Sequence, residues 1–215
     1  MFKNKTILIT GGTGTLGKGL LERITDAKEI QVFSRSETEQ NKLKYEYPKV
    51  KFILGSVADY PAIRNAIRGV DIVIHAAALK YIDLAEKQPR ECVRTNVLGS
   101  INVIEAVQDE KNVEICIGIS TDKVAYARNV YGCTKHIMEK LFYEAQHNSK
   151  TKFCCVRYGN VKASNGSVFQ IWQNQIKQGM PITVTDERTT RFFLELDEAI
   201  DFIFYAIKNS QGGEI

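Results

Sequence analysis

Histidine, proline and tryptophan are scarce in this 215-residue sequence, which holds three, four and one of them. His75, His136 and His147 stand far apart, and the five cysteines form no C-x-x-C pair. Neither residue type offers the ligand spacing of a zinc site, so His75 reads as a packed histidine. Cys92, Cys116, Cys133, Cys154 and Cys155 are odd in number, and no leader of basic, then apolar, then small residues opens the chain. Together these imply free thiols in a reducing compartment, hence the cytoplasm. Long apolar runs are missing as well: "DIVIHAAAL" falls far short of the roughly 20 residues that a membrane span needs. Nor is charge of one sign clustered. The net charge is +4, with lysines scattered among glutamates, a solvated surface rather than a nucleic-acid footprint. No linker, repeat or low-complexity segment divides the chain. What is left is 44% hydrophobic and long enough for one domain with a sizeable core.

Within it, short β-branched runs alternate with helical periodicity. "KTILIT" (5–10), "IQVFS" (30–34), "VKFIL" (50–54), "DIVIHA" (71–76), "VEICIGIS" (113–120) and "KFCCVRY" (152–158) read as strands. Helices are predicted over 14–25, along the stripe Val93, Val97, Ile101 and Ile104, and from about Val130 with Ile137, Met138, Leu141 and Phe142 inward. Continuous apolar strands separated by helices specify an α/β fold, a parallel sheet covered on both faces. After residue 160 the rhythm changes to a helix near 167–178, a short strand "PITVT" (181–185) and a helix over 197–208. The closing "SQGGEI" places a glycine turn where a further strand would begin.

"TGGTGTLGKG" follows the first strand and opens the first helix, spacing Gly11, Gly14 and Gly17 as G-x-x-G-x-x-G. Such a loop permits close backbone approach to a diphosphate at a helix N-terminus, although an ordinary glycine-rich turn has the same composition. At the tip of the second strand, where an NAD site usually carries an acid, stand Ser34 and Arg35. A guanidinium there suits the extra phosphate of NADP; the plainer alternative is an exposed loop arginine. Further on, Tyr131 and Lys135 lie four apart, on one helix face. A lysine cation beside the phenol, aided by an oxidised nicotinamide, would pull the tyrosine's pKa down and make it a base.

The glycine loop, "HAAALK" (75–80), "TNVLG" (95–99), "STDK" (120–123), "YGCTK" (131–135) and "RYGNV" (157–161) together resemble the extended short-chain dehydrogenases/reductases. More narrowly, "AALK", "STDK", "RYGNV", "GSV" (166–168) and "TRFF" (190–193) resemble the UDP-N-acetylglucosamine 4,6-dehydratases of surface-polysaccharide and pseudaminic acid synthesis. The resemblance implies a doubly wound Rossmann domain over 1–160. The start of a small substrate-binding region over 161–215 would be interleaved with it. It also implies a homo-oligomer and a UDP-sugar substrate. In that family's reaction Tyr131 removes the C4 hydroxyl proton, Lys123 works at C5, Asp122 is the acid at C6, Thr121 orients the C4 oxygen, and Lys135 holds the ribose. Cofactor contacts would come from Gly11, Thr13, Gly14, Thr15, Leu16, Gly17, Ser34, Arg35, Ser56, Val57, Ala76, Ala77, Ala78, Lys80, Tyr131, Lys135 and Tyr158. Substrate contacts would come from Lys80, Thr121, Asn160 and Arg191, the last readable equally as a surface salt bridge. Asn96 has a structural or relay role in such enzymes, and Tyr126 has no counterpart.

Three departures qualify the match. Ser56 replaces the acid usual after the glycine in "GSVADY", leaving Asp59 as a helix cap. "KYID" puts Tyr81 and Asp83 at the expected substrate mouth. Relatives continue for about a hundred residues beyond "GGEI", so the substrate pocket is expected to be incomplete here. Three readings follow: a 4,6-dehydratase, inverting at C5; a sugar-nucleotide epimerase or reductase, which would lack the Asp122–Lys123 pair; and a non-catalytic NADP-binding scaffold.

Overall fold

The computed structural model describes residues 1–162, 164, 167–184 and 186–215; Gly166 of the GSV motif and Thr185 of "PITVT" lie outside them. Its main sheet holds β1 (Thr6–Thr10), β2 (Glu29–Ser34), β3 (Lys51–Leu54), β4 (Ile72–His75), β5 (Ile115–Ile119) and β6 (Lys152–Val156). They run parallel in the order β3-β2-β1-β4-β5-β6. β1, β4 and β5 are buried along their whole length, which is why their sequences are apolar without alternation.

The covering helices are α1 (Thr15–Arg23), α2 (Glu37–Glu46), α3 (Tyr60–Ile67), α4 (Ile82–Lys87), α5 (Pro89–Val93), α6 (Gly99–Asp109) and α7 (Val130–His147). Local chemistry sets several starts. Ser36 accepts from Glu39 N to cap α2, Asp59 accepts from Ala62 N to cap α3, and Asn129 accepts from Gly132 N to cap α7. On one face of the sheet Phe142 meets Phe153 edge-on at 5.7 Å and fills the space over Gly118, where a Cβ would lie 2.9 Å from its ring. Burying such a ring stabilises by ~1.5–3 kcal/mol.

Two sequence expectations need correction here. The stripe Val93, Val97, Ile101, Ile104 is only in part the buried face: Ile104 is buried as expected, but Val93 is exposed, Val97 and Ile101 are half-buried, and Cys92, Asn96, Ser100, Val103 and Val107 go inside. The reason is a π-helical turn, Arg94–Leu98, joining α5 to α6, which rotates the later residues relative to an unbroken helix. On α7, Met138 and Phe142 are buried as expected, but Ile137 is 45% exposed and Glu139 takes an inward position.

Beyond β6, Asn160–Val161 (β7) pairs with Phe193–Leu194 (β8), and between them α8 (Val168–Lys177) has no buried residue. Residues 181–184 form no strand. They lie along α8, with Trp172 Nε1 donating to Thr183 O at 2.8 Å. α9 (Leu196–Asn209) then returns to the main sheet, burying Ala199, Ile200 and Ile203. It packs so closely on α1 that a Cβ at Gly19 would sit 2.7 Å from Ile200 Cδ1. Gly213 N donates to Phe153 O at 2.7 Å and Cys155 N to Glu214 O at 2.9 Å, so the last residues add to the free edge of β6.

Among the described residues, no helix is long and apolar enough to cross a membrane, and no His/Cys/Asp/Glu group could hold a metal. Four cysteines are buried and Cys133 is exposed, all as free thiols. The strand order reverses between β1 and β4, and such a switch point opens a crevice at the carboxyl ends of the strands.

Candidate active site

Four segments leave the strands at that crevice: the glycine loop after β1, residues 76–80 after β4, 120–124 after β5 and 157–160 after β6. Gly11 has φ +69°, and a Cβ there would lie 2.7 Å from Ala77 Cα. Gly17 is as constrained, since its Cβ would fall 2.1 Å from Gly12 O. Both therefore serve the packing of loop, helix and the Ala76–Ala78 passage. Gly14 differs. It is the N-cap of α1, no side chain caps that helix, and a Cβ would meet nothing nearer than Gly11 O at 3.4 Å. Nothing in the chain requires glycine at that point, but a side chain would project over the helix N-terminus. A bare, uncapped N-terminus suits a diphosphate, so the loop fits a dinucleotide. Thr13, Thr15 and Leu16 lie on the same turn.

Under the loop runs a complete hydrogen-bond relay. Ala77 N donates to Thr10 Oγ1 (3.3 Å), which lies 2.8 Å from His75 Nδ1; His75 Nε2 lies 3.0 Å from Ser100 Oγ, which donates to Asn96 O at 2.6 Å. Because Ser100 already donates, Nε2 carries the proton and Nδ1 accepts from Thr10. Burial, with a smaller push from Lys135, lowers the pKa of His75 to about 3. Asn96 holds the far side: Leu79 N donates to its Oδ1 (2.7 Å), and its Nδ2 donates to Leu79 O (2.9 Å) and Thr134 Oγ1 (3.0 Å). The π-turn is what aims this side chain at the 76–80 segment.

At the carboxyl end of β2, Ser34 is buried and its Oγ accepts from Gln40 Nε2 at 3.0 Å, whereas Arg35 is exposed and makes no ion pair among the described residues. Ser56 Oγ accepts from Ala58 N (3.2 Å), and buried Val57 packs on Gly99. Lys80 is exposed at the crevice rim, its ammonium 5.8 Å from the Tyr81 ring centroid, and desolvation lowers its pKa.

Polar contacts converge on the 120–123 segment. Thr121 is buried and donates to Asp122 Oδ1 at 3.0 Å. Lys123 Nζ donates to Asp122 Oδ1 and to Asn160 Oδ1, both at 3.1 Å. Tyr131 lies close enough to Thr121 and Asp122 for both to bear on its phenol. Asp122 N donates to Tyr158 O at 3.0 Å, and burial raises the pKa of the Tyr158 phenol. The structure thus gathers Thr121, Asp122, Lys123, Tyr131, Tyr158 and Asn160 around one space. Arg191 stays outside this group. It is exposed, donates to Thr190 O at 2.6 Å and forms no salt bridge among the described residues. Tyr126 is exposed too, with the Arg128 guanidinium 3.9 Å from its ring centroid.

One expectation is reversed. Tyr131 has a pKa raised to about 12, by burial first and then by Asp122 and Cys92, against a lowering contribution from Thr121. Lys135 does not offset this, because its side chain runs towards Met138, whose sulfur takes its Nζ at 3.0 Å, and so away from Tyr131 one turn back. Its own pKa falls to about 8 because it is buried.

The pattern of the sequence also concealed one residue. Glu139, 1% exposed, accepts from Arg157 Nε (3.1 Å) and Nη2 (2.6 Å) and from Ser120 Oγ. Its spacing of four from Lys135 was the available signal, masked by the apolar neighbours that define the inward face of α7.

With this geometry in hand, likeness to known proteins becomes informative. The model of a family described as polysaccharide biosynthesis protein matches residues 7–215. Proteins named UDP-glucose 4-epimerase from Rickettsia akari (strain Hartford) and Rickettsia bellii (strain RML369-C) are 42% and 43% identical over 226 residues. Each alignment takes in 100% of this chain and 66% of the relative, so the chain spans just under two thirds of their length. The X-ray structure of Pen from Bacillus thuringiensis superposes with a TM-score of 0.96 at 38% identity, over 99% of this chain and 68% of that one. DesIV, a dTDP-glucose 4,6-dehydratase from Streptomyces venezuelae, shares the fold at 18% identity with a TM-score of 0.87, over 98% of this chain and 74% of its own.

Proposed function

The chain belongs to the polysaccharide biosynthesis protein family, a branch of the extended short-chain dehydrogenases/reductases, and on that premise we propose that it is the cofactor-binding and catalytic part of an NADP-dependent UDP-N-acetylglucosamine 4,6-dehydratase. The observation that carries this reading is the Lys123 ammonium bridging Asp122 and Asn160 beside Tyr131 and Thr121.

When bound, the oxidised nicotinamide would accept the C4 hydride, add positive charge near the phenol and return the hydride to C6. Once ionised, with Lys135 turned from Met138 towards it to oppose the raised pKa, Tyr131 takes the C4 hydroxyl proton as the ketone forms, and the neighbouring Thr121 hydroxyl orients that oxygen. The ketone acidifies C5–H. Passing one proton along the 3.1 Å Lys123–Asp122 contact converts the ion pair into an amine and a carboxylic acid. The amine removes the C5 proton, and the acid protonates the C6 hydroxyl, which leaves as water. Proton return to C5 completes a 4-keto-6-deoxy sugar, the substrate less one water, inverted at C5. Asn160 fixes the direction of Lys123 throughout. Arg35 would meet the extra phosphate of NADP, Lys80 and Arg191 would contact the sugar nucleotide, and Lys135, redirected from Met138, would hold the ribose.

A second reading has its own support, since the similar Rickettsia proteins are named UDP-glucose 4-epimerase. Epimerisation needs hydride removed from and returned to C4, which Tyr131 serves, and leaves the Asp122–Lys123 pair without work at C5 and C6. Incubation of the full gene product with NADP and UDP-N-acetylglucosamine, followed by mass spectrometry, separates the two. Loss of one water supports the dehydratase; a C4 epimer of unchanged mass overturns it in favour of the epimerase. NADP binding without any turnover would point to a scaffold.

A further inference from the structure

We propose that Glu139 is a positioning residue: its buried carboxylate, gripped by Arg157 and Ser120, fixes the spacing between the 120–123 segment and the helix carrying Tyr131 and Lys135. The inference rests on the reading above, in which those residues act on sugar and cofactor.

Three separately folded pieces converge on this carboxylate. Ser120 directly follows β5 and begins the acid–base segment, Arg157 follows β6 and precedes Tyr158, and Glu139 lies on α7 one turn after Lys135 and two after Tyr131. The two loops are already joined by Ser120 N to Val156 O (2.8 Å) and Asp122 N to Tyr158 O (3.0 Å), but neither bond reaches α7. The two-pronged Arg157 contact and the Ser120 hydroxyl register the helix against both loops at once. Stability is a poor explanation for such a pair, because the Arg157 side chain is 36% exposed, so water screens much of the attraction while the cost of burying Glu139 remains. A carboxylate with three fixed donors does, however, define direction and distance, which packing alone leaves looser.

Charge gives the arrangement a second signature. The groups facing Lys135 are His75 from β4, Cys92 from α5, Cys155 from β6 and Glu139 from its own helix. His75 is neutral at physiological pH, and burial holds both thiols protonated, so Glu139 is the negative charge among them. Removing it leaves Arg157 unpaired nearby, and both changes disfavour the Lys135 cation. A lysine that loses its proton at lower pH moves the alkaline limb of any function needing that cation to lower pH.

The test uses the full gene product as wild type, Glu139→Gln, Glu139→Asp and Ser120→Ala. NADPH binding is titrated by fluorescence from pH 6 to about 10, the span around a lysine near 8. Turnover of UDP-N-acetylglucosamine is normalised to cofactor-loaded molecules, so that misfolded protein does not count. In Glu139→Gln, kcat should fall on the order of 100-fold, as for a misplacement near 1 Å. Its alkaline loss of NADPH affinity should begin about one pH unit lower. Glu139→Asp keeps the charge but not the reach, so kcat falls while the alkaline limb stays. Wild-type kcat per loaded molecule in Glu139→Gln, whatever its melting temperature, overturns the inference. If that variant does not fold, Ser120→Ala decides, since it removes one hydroxyl and unchanged kcat sinks the idea. A wild type that binds NADPH without turnover overturns the dehydratase reading instead, and the pH limb of binding still decides the role of Glu139.

Discussion

Lys123 and Asn160 meet at 3.1 Å across the crevice, one from the segment after β5 and the other from β7. The contact joins the Asp122–Lys123 pair to β7, the strand that follows the main sheet. If Lys123 is the C5 base, Lys123→Ala retains C4 oxidation and loses elimination. Mixing the variant with substrate should give a single-turnover rise in NADPH absorbance without a 4-keto-6-deoxy product. Undiminished product would remove Lys123 from the mechanism.

Two glycines three residues apart should fail differently. Gly11→Ala faces a positive φ and a 2.7 Å approach to Ala77 Cα, so it should lose about 1–3 kcal/mol of stability along with cofactor binding. Gly14→Ala meets only Gly11 O at 3.4 Å and should melt like the wild type, yet bind the dinucleotide at least about tenfold more weakly. Thermal melts beside cofactor titrations check both, and equal melting losses would refute the distinction.

Arg35 is exposed and uncommitted to any ion pair among the described residues, so its removal should leave the fold untouched. Arg35→Ala should weaken NADP by roughly 10- to 100-fold, the 1.5–3 kcal/mol of hydrogen bonds to a charged group, with NAD little changed. Equal losses for the two cofactors would argue against discrimination at this tip.

His75 makes the fold sensitive to acid. Its folded pKa of about 3 lies below its ordinary value, so between these limits the unfolded chain binds the extra proton. Stability is therefore complete above about pH 6.5 and is lost as pH falls towards 3, by about 2 kcal/mol between pH 7 and 5. Protonation would also break the bond that Nδ1 accepts from Thr10. Urea midpoints at the two pH values should draw closer by that amount in His75→Gln, and an unchanged gap would place the acid sensitivity elsewhere.

Much of this was legible beforehand, for physical reasons. Apolar strands buried on both faces announce themselves by composition, and the glycine spacing of 11, 14 and 17 places a turn whose geometry no other residue tolerates at Gly11. Asp59 could be read as a cap because Ser, Thr, Asp and Asn have one favoured job before a helix. The failures share a cause: a side chain's direction depends on neighbours distant in sequence. The π-turn shifted part of the buried stripe of α6, residues 181–184 lie along α8 instead of forming a strand, and Lys135 points to Met138 although its spacing from Tyr131 is right. Glu139 was hidden because a buried carboxylate resembles a surface one until its arginine, 18 residues on, is seen.

The return of α9 to the sheet has a bearing on how this molecule tolerates change. The polypeptide leaves at β6 and comes back where Ile200 seats on Gly19, so the chain is moored on both sides of β7 and β8 to the main sheet and its helices. Loop length between Lys162 and Phe193 can vary while neither mooring is disturbed. A larger side chain at Gly19 would instead lift the second mooring directly off the helix that begins at the glycine loop, so a substitution outside the crevice would loosen both of its sides together.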